Sequence, residues 1–178
     1  MRLILSSRHP RNSTYTTETG QILYKVNKPR RFGYGVATIR KAGRSSVPST
    51  SGSLQGHFAF LAQIEFHGFS PTRFLYNNLN VSVDELFRKV GGSCRGRVWK
   101  ASDGQEYRWV LCADNLEMVK NDESKKPVVV FKSYHSPHNP FKKPQQASME
   151  VDDSCVPILD EIIMTFVYCH KVRKDRNR

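Results

Sequence analysis

The sequence predicts a mainly β fold: an antiparallel β-barrel of about ten to twelve strands wrapped around a buried hydrophobic C-terminal helix. Two observations lead to this prediction. Short stretches of alternating apolar and polar residues recur between turn residues along most of the 178-residue chain, a pattern typical of antiparallel strands. The last segment differs, because its apolar residues cover nearly every helical direction, and a helix that is apolar all round is buried all round.

The first half of the chain contains a predicted hairpin and three further strands. The hairpin pairs residues 15–17 with residues 21–26 across Thr19-Gly20, and the further strands are residues 36–40, 57–66 and 73–76. The strand at 57–66 has the clearest alternation. Its apolar side chains are predicted to share one face: Phe58, Phe60, Ala62, Ile64 and Phe66.

The second half begins with a predicted short helix near 83–90. Ser82 and Glu85 have the spacing of a capping box, and Gly91-Gly92 follows the segment. The pair Asp103-Gly104 is a strong hairpin signal between two alternating stretches. The remaining strands are predicted at residues 97–102, 106–111, 116–119, 128–134 and 149–151.

The terminal helix is predicted to begin near Ile158, just after Pro157, which suits a first turn. Asp160 and Glu161 then lie near its positive end, and basic residues follow its apolar segment. We assign residues 1–174 to a single β-barrel domain with a flexible Ser/Gly-rich loop at 43–56, and residues 175–178 to a basic tail.

Four pieces of sequence carry a resemblance to a known family. They are Gly20-x-x-Leu23-Tyr24-Lys25, Ile64-Glu65-Phe66-His67, Asp103-Gly104-x-x-Tyr107-x-Trp109 and Leu159-Asp160-x-Ile162-x-x-Thr165-Phe166-Val167. Over about residues 3–174 the chain resembles a fungal (basidiomycete) domain family of unknown function, family 6593. It departs from that family at Phe66, where Trp is common, and in a longer insert at 43–56.

That family is similar to the tubby-like and LURP-one-like barrels, in which roughly a dozen antiparallel strands wrap a hydrophobic helix. The resemblance therefore implies the same barrel here. Tubby-like barrels bind phosphoinositide headgroups through Lys and Arg, so the resemblance also implies a basic lipid-binding surface. It supplies no catalytic residues.

The net charge of +12 is concentrated at the two ends of the chain. Residues 1–44 contain ten Lys or Arg and one acid, and residues 171–178 contain five and one, whereas the middle is almost balanced. Six cations occur within 17 positions with no acid between them: Lys28, Arg30, Arg31, Arg40, Lys41 and Arg44. Such a cluster favours phosphorylated ligands and is the predicted binding site. A merely solvated basic loop is the competing interpretation.

The sequence thus predicts a non-enzymatic binding or adaptor domain for acidic membrane lipid, phosphoinositide-like, or for an acidic protein partner. A nucleic-acid-binding module that uses the same charges is the alternative, and an enzyme of unrecognised class is third. We expect an intracellular, cytoplasmic protein, and a nuclear or membrane-peripheral localisation is the alternative. Residues 1–6 have too few apolar residues for a secretory signal, and the longest apolar run is too short to span a membrane.

No metal, cofactor or catalytic set is predicted. His135-x-x-His138 lies in a Pro-rich segment without the further ligands that a tetrahedral site needs. A nucleophilic Cys94 or Cys112 would need His67 brought within hydrogen-bond reach by the fold. The absence of a Cys-x-x-Cys pair argues against a structural zinc or redox site. In a reducing compartment the four cysteines are expected to be reduced and mostly buried, with a disulfide between distant cysteines as the alternative.

Two further groups have a functional and a structural interpretation. Glu65 could form a carboxylate pair with Asp103 or Glu106, although its place in the alternation predicts a solvated side chain. Aromatic residues of the 97–111 hairpin, Trp99 and Trp109 among them, could stack nucleic-acid bases. We favour the structural interpretation, in which these rings fill the barrel.

Overall fold

The computed structural model describes residues 1–29, 35–43, 57–91, 96–112, 116–136 and 144–176. Within these residues thirteen strands form a single antiparallel sheet, and the mainly β prediction is confirmed. The strands are β1 (Arg2–Leu5), β2 (Ser13–Thr17), β3 (Ile22–Asn27), β4 (Gly35–Ala42), β5 (Phe58–Phe66), β6 (Arg73–Tyr76), β7 (Leu79–Ser82), β8 (Arg88–Val90), β9 (Gly96–Lys100), β10 (Glu106–Leu111), β11 (Leu116–Lys120), β12 (Pro127–Lys132) and β13 (Ser148–Val151).

The described helices are few. A short helix, α1 (Val83–Leu86), has the predicted capping box, with the Ser82 side chain and the Glu85 side chain each accepting from the other's backbone N–H. The long helix α2 (Leu159–Arg176) follows a 3-10 helix at Asp153–Ile158, and another 3-10 helix occurs at Pro10–Asn12.

The sheet consists of two meanders that meet in its middle. Strands β1 to β7 follow one another outward on one side, and β13 back to β8 follow one another on the other side. The two halves join where β1 pairs with β13, with Leu3 opposite Met149. The edges of the sheet are therefore β7 and β8, which are consecutive in the chain.

The sheet is not closed, which is the main difference from the predicted barrel. Thirteen strands paired antiparallel throughout leave the two edge strands running in the same direction. Parallel neighbours need a crossover connection of about a dozen residues or more. The connection between β7 and β8 is only α1 and Phe87. The two edges are thus linked closely by the chain and cannot pair with each other.

Helix α2 lies inside the curled sheet and contacts both halves of it. Its buried residues cover all sides: Leu159, Ile162, Ile163, Met164, Thr165, Phe166, Val167, Tyr168 and Cys169. The Tyr168 ring lies 5.5 Å from that of Phe74 in β6, and the Phe166 ring lies 4.9 Å from that of Phe131 in β12. This arrangement confirms the predicted buried C-terminal helix.

A bulge changes the predicted orientation of β5. Ile39 pairs with Ala62, but the next residue, Arg40, pairs with Phe60, so β5 contains one extra residue at this point. An extra residue reverses the faces of the side chains beyond it. Ala62 and the later apolar residues of β5 are buried as predicted, whereas Phe60 is 54% exposed. The prediction that Phe58 and Phe60 share the buried face is wrong.

Several elements differ from the predictions. Strands β1, β7 and β8 are additional, and the helix predicted near 83–90 ends at Leu86, shortly before β8. At the C-terminus α2 continues to Arg176, so the basic tail predicted at 175–178 begins inside the helix. The Ser/Gly-rich loop lies almost wholly outside the described residues.

Candidate anion-binding site

The six predicted site residues do not form one surface in the part of the chain that the structure describes. Arg30, Arg31 and Arg44 lie outside the described residues. The other three, Lys28, Arg40 and Lys41, lie in three different surroundings, because β4 alternates its side chains between the two faces and Lys28 follows β3.

Lys41 faces the N-terminal end of α2. It pairs in register with the buried Tyr24, and its Nζ lies 2.8 Å from Asp160 Oδ2. The Tyr24 hydroxyl also donates to Asp160. Burial, then the hydrogen bond and the negative charge of Asp160, raise the pKa of Tyr24 well above its ordinary value. The Lys41 charge is therefore engaged by a carboxylate.

Arg40 lies on the outer face of the sheet, opposite Lys25 of β3. Both side chains are exposed, and the Lys25 ammonium lies 5.8 Å from the centre of the Phe58 ring. Like charges directly opposite each other repel. This pair is a solvated feature of the outer sheet surface.

Lys28 belongs to a cluster that the sequence did not predict. We call this cluster the basic end and define it as Arg11, Lys28, Lys171, Arg173 and Lys174. Its members come from the 3-10 helix at Pro10–Asn12, from the segment after β3 and from the last turns of α2. All five residues are half-buried.

Electrostatic effects show that these cations act on one another. Partial burial, followed by the charges of Arg11 and Lys171, lowers the pKa of Lys28 from its ordinary value. Asp175 opposes this effect, and it also forms an ion pair with Lys171. The cluster is thus a concentration of positive charge with the Asp175 carboxylate beside it.

His170 lies beneath the basic end and is neutral at physiological pH. Burial, then the charges of Arg11, Arg173 and other cations nearby, lowers the pKa of His170 to about 3. Its ring packs edge-on against Phe131, with the centroids 5.7 Å apart, and its buried Nδ1 has no hydrogen-bond partner. The positive potential of the basic end therefore extends into the interior of the protein.

The charges at the two ends of α2 match the dipole of the helix. Carbonyl groups at the end of a helix carry a partial negative charge that favours cations, and the first turn favours acids. The first turn of α2 contains Asp160 and Glu161, and its last turn contains Arg173, Lys174 and Arg176. With 18 residues α2 is about 27 Å long. The protein consequently has an acidic and a basic end.

A cleft of about 210 Å³ lies at the acidic end, lined by Tyr76, Asp160, Glu161 and Met164 among others. The carboxylate of Glu161 accepts from the Ser102 backbone N–H at 3.1 Å and from its hydroxyl. Both carboxylates of this cleft therefore already have donors, and the cleft has the wrong sign to bind an anion.

The carboxylates considered as a catalytic pair are separately engaged. Glu65 lies 3.6 Å from the His67 ring, Asp103 accepts from the Tyr107 hydroxyl at 2.8 Å, and Glu106 pairs with Arg88 at 3.0 Å. Among the described residues no three His, Cys, Asp or Glu side chains are grouped as metal ligands would be.

The remaining candidates are the cysteines, His138 and the two tryptophans. Cys112 is disulfide-bonded, so the expectation that all four cysteines are reduced is wrong, while Cys155 and Cys169 are free and buried. Cys94 and His138 lie outside the described residues. The rings of Trp99 and Trp109 are 3% and 0% exposed, which confirms that they fill the interior.

Sequence reasoning missed the basic end because its members are far apart in the chain. The positive charge of residues 1–44 and of residues 171–178 was visible, but only the fold shows that Arg11 and the end of α2 are neighbours. The signal that could have suggested it is the basic last turn of α2, which follows a central apolar segment.

Together these features define a mainly β protein whose curled sheet surrounds one apolar helix. The chain belongs to the family of unknown function DUF6593, whose family model matches residues 8–175. Neither the curated proteins nor the solved structures include a match to it. No helix in the described part of the chain is long and apolar enough to cross a membrane.

Proposed function

We propose that this protein is a non-enzymatic domain that binds anionic, phosphoinositide-like membrane lipid through the basic end. The observation that carries the proposal is the convergence of Arg11, Lys28 and Lys171 from three distant parts of the chain. Cations held together in this way bind a polyvalent phosphate more strongly than scattered surface charges do, because each adds to the same local potential.

Two further considerations support the proposal. The chain resembles tubby-like barrels, which bind phosphoinositides through Lys and Arg, and the resemblance to family 6593 implies a fungal source. The charge separation along α2 would also orient the domain, since the basic end is attracted to an anionic surface and the acidic end is repelled. A cytoplasmic protein that associates peripherally with the membrane fits both.

The test is vesicle binding by a variant of the basic end and by a matched control. The variant combines Arg11→Gln, Lys28→Gln and Lys174→Gln, which remove charge while retaining most of each side chain's apolar stem. At about 1 kcal/mol per cation near the surface, binding to phosphatidylcholine vesicles that contain a phosphoinositide should weaken by roughly 100-fold.

The control variant combines Lys100→Gln, Lys125→Gln and Lys126→Gln, three exposed cations. Lys100 lies two positions before Ser102, which contacts Glu161 in the first turn of α2, and Lys126 pairs with Asp152, before the start of α2. This control has the same net charge as the first variant and should bind nearly as well as the parent. Equal losses of vesicle affinity in the two variants would show that binding depends on net charge alone. If the parent does not bind the vesicles, the proposal is refuted.

Competition with RNA separates lipid binding from the nucleic-acid alternative. Exposed phosphate contacts of either kind weaken as salt rises, because the Debye length falls to about 8 Å at physiological ionic strength. Salt dependence therefore does not distinguish lipid binding from nucleic-acid binding. RNA should displace the parent from the vesicles only weakly, and strong displacement would favour a general phosphate-binding surface instead.

A further inference from the structure

The loop between β5 and β6 presents a completely exposed aromatic ring. Phe69 is 100% exposed, and residues 67–71 around it are all exposed. The ring has no role in the core, so the fold gives no reason for an apolar residue here. A single exposed apolar residue is unremarkable by itself, and its position relative to the charges decides what it can do.

The loop lies at the same end of the protein as the basic end. Strand β5 ends at Phe66, whose ring centre lies 5.2 Å from the Lys171 Nζ. Phe69 is three positions after Phe66, so their Cα atoms are at most about 11 Å apart. Gly35, which pairs with Phe66, lies against the Lys28 side chain. The exposed ring is therefore a neighbour of two cations of the basic end.

The surroundings of Phe69 also suit an anionic bilayer. No acid occurs from residue 66 to residue 83, so nothing in the loop repels a negatively charged surface. Arg73, which follows the loop, is exposed and adds a further cation. An apolar ring beside a group of cations is the combination that anchors proteins at the boundary between headgroups and acyl chains.

We infer that Phe69 inserts into the membrane while the basic end binds the anionic headgroups, with α2 pointing its C-terminal end at the bilayer. This inference rests on the proposed function and deepens it, because it selects a lipid surface over a soluble phosphate as the ligand. The apolar contribution comes from the ring, and the electrostatic contribution comes from the five cations.

The first experiment is Phe69→Ala. The thermal midpoint should not change, because the ring is fully exposed. Binding to phosphatidylcholine vesicles that contain a phosphoinositide should weaken by roughly 10- to 100-fold, which corresponds to the burial of one Phe side chain. Binding to a soluble inositol polyphosphate should be unaltered, since it offers no apolar phase. An unchanged vesicle affinity would overturn the inference.

The second experiment measures directly how deeply residue 69 enters the bilayer. Phe69→Trp should show quenching by lipids brominated on the acyl chains, over a background from Trp99 and Trp109, which are buried. Phe60→Trp is the matched control, because Phe60 is exposed on the outer face of β5, which continues toward the acidic end. Quenching of the first variant alone supports the inference.

The other outcomes are distinguishable. If the parent binds vesicles but Phe69→Trp is not quenched, insertion is refuted and headgroup binding by the basic end stands. Equal quenching of both variants would refute the orientation that we infer. If the parent does not bind vesicles, the proposed function fails and the insertion fails with it.

Discussion

The hydrogen bond between Trp109 and Thr165 gives the sharpest prediction about stability. The Trp109 Nε1–H donates to the Thr165 hydroxyl at 3.0 Å, and that hydroxyl donates in turn to the Glu161 carbonyl at 2.8 Å. Trp109 and Thr165 are both 0% exposed. This bond is consequently a polar connection between α2 and β10 in the dry interior.

Thr165→Val removes the hydroxyl while keeping the shape of the side chain. The Trp109 N–H is then buried without an acceptor, which costs about 1–3 kcal/mol. The free energy of unfolding of a domain is commonly about 5–15 kcal/mol, so the loss is large. At about 2–4 °C per kcal/mol for a chain of this size, the midpoint should fall by about 5 °C.

The assay is urea unfolding followed by circular dichroism, arranged as a double-mutant cycle with Trp109→Phe, which removes the donor. The two changes together should cost less than the sum of the single changes, by about 1–2 kcal/mol. Thr165→Ser keeps the hydroxyl that accepts from the Trp109 N–H and is the control, so it should be additive with Trp109→Phe. A Thr165→Val variant as stable as the parent, or a coupling near zero between Thr165→Val and Trp109→Phe, would refute this reasoning.

Three other predictions concern the core, pH and the site. Ile163→Asp should prevent folding, because an unpaired charge in the interior costs several kcal/mol and Ile163 is 0% exposed; a midpoint within a few degrees of the parent's would contradict this. The low pKa of His170, about 3, means that the unfolded chain binds the proton first. Stability should therefore decrease as pH falls from about 6.5 toward 3, by at most about 1.4 kcal/mol per unit, and urea titrations should show a smaller decrease for His170→Phe. Lys41→Gln should cost under about 1 kcal/mol, since its ion pair is half-exposed, and vesicle binding should persist; a large loss of binding would restore Lys41 to the site.

Local signals in the sequence predicted most of the sheet correctly. Asp103-Gly104 forms the turn between β9 and β10, with Gly104 at a positive φ of 82°. The strand predicted at residues 106–111 has the bounds of β10. Alternation and turn chemistry are properties of a few neighbouring residues, which explains why they can be recognised without the fold.

Features that depend on distant residues could not be predicted in this way. The bulge opposite Arg40 depends on the pairing of β4 with β5, and nothing in the alternation of 58–66 marks it. The number of strands is odd, and this keeps the sheet from closing. That number depends on short strands such as Arg2–Leu5 and Arg88–Val90, which have too few residues to show a period. The basic end depends on Arg11 lying beside α2.

The junction of β1 with β13 has a consequence for synthesis on the ribosome. Every other pairing in the sheet joins strands that are consecutive in the chain, and each can form as a local hairpin soon after both strands emerge. β1 must wait until residues 148–151 have been translated, and α2 appears later still. The nascent chain therefore carries an uncovered apolar face for most of its translation, a state in which it depends on protection from aggregation.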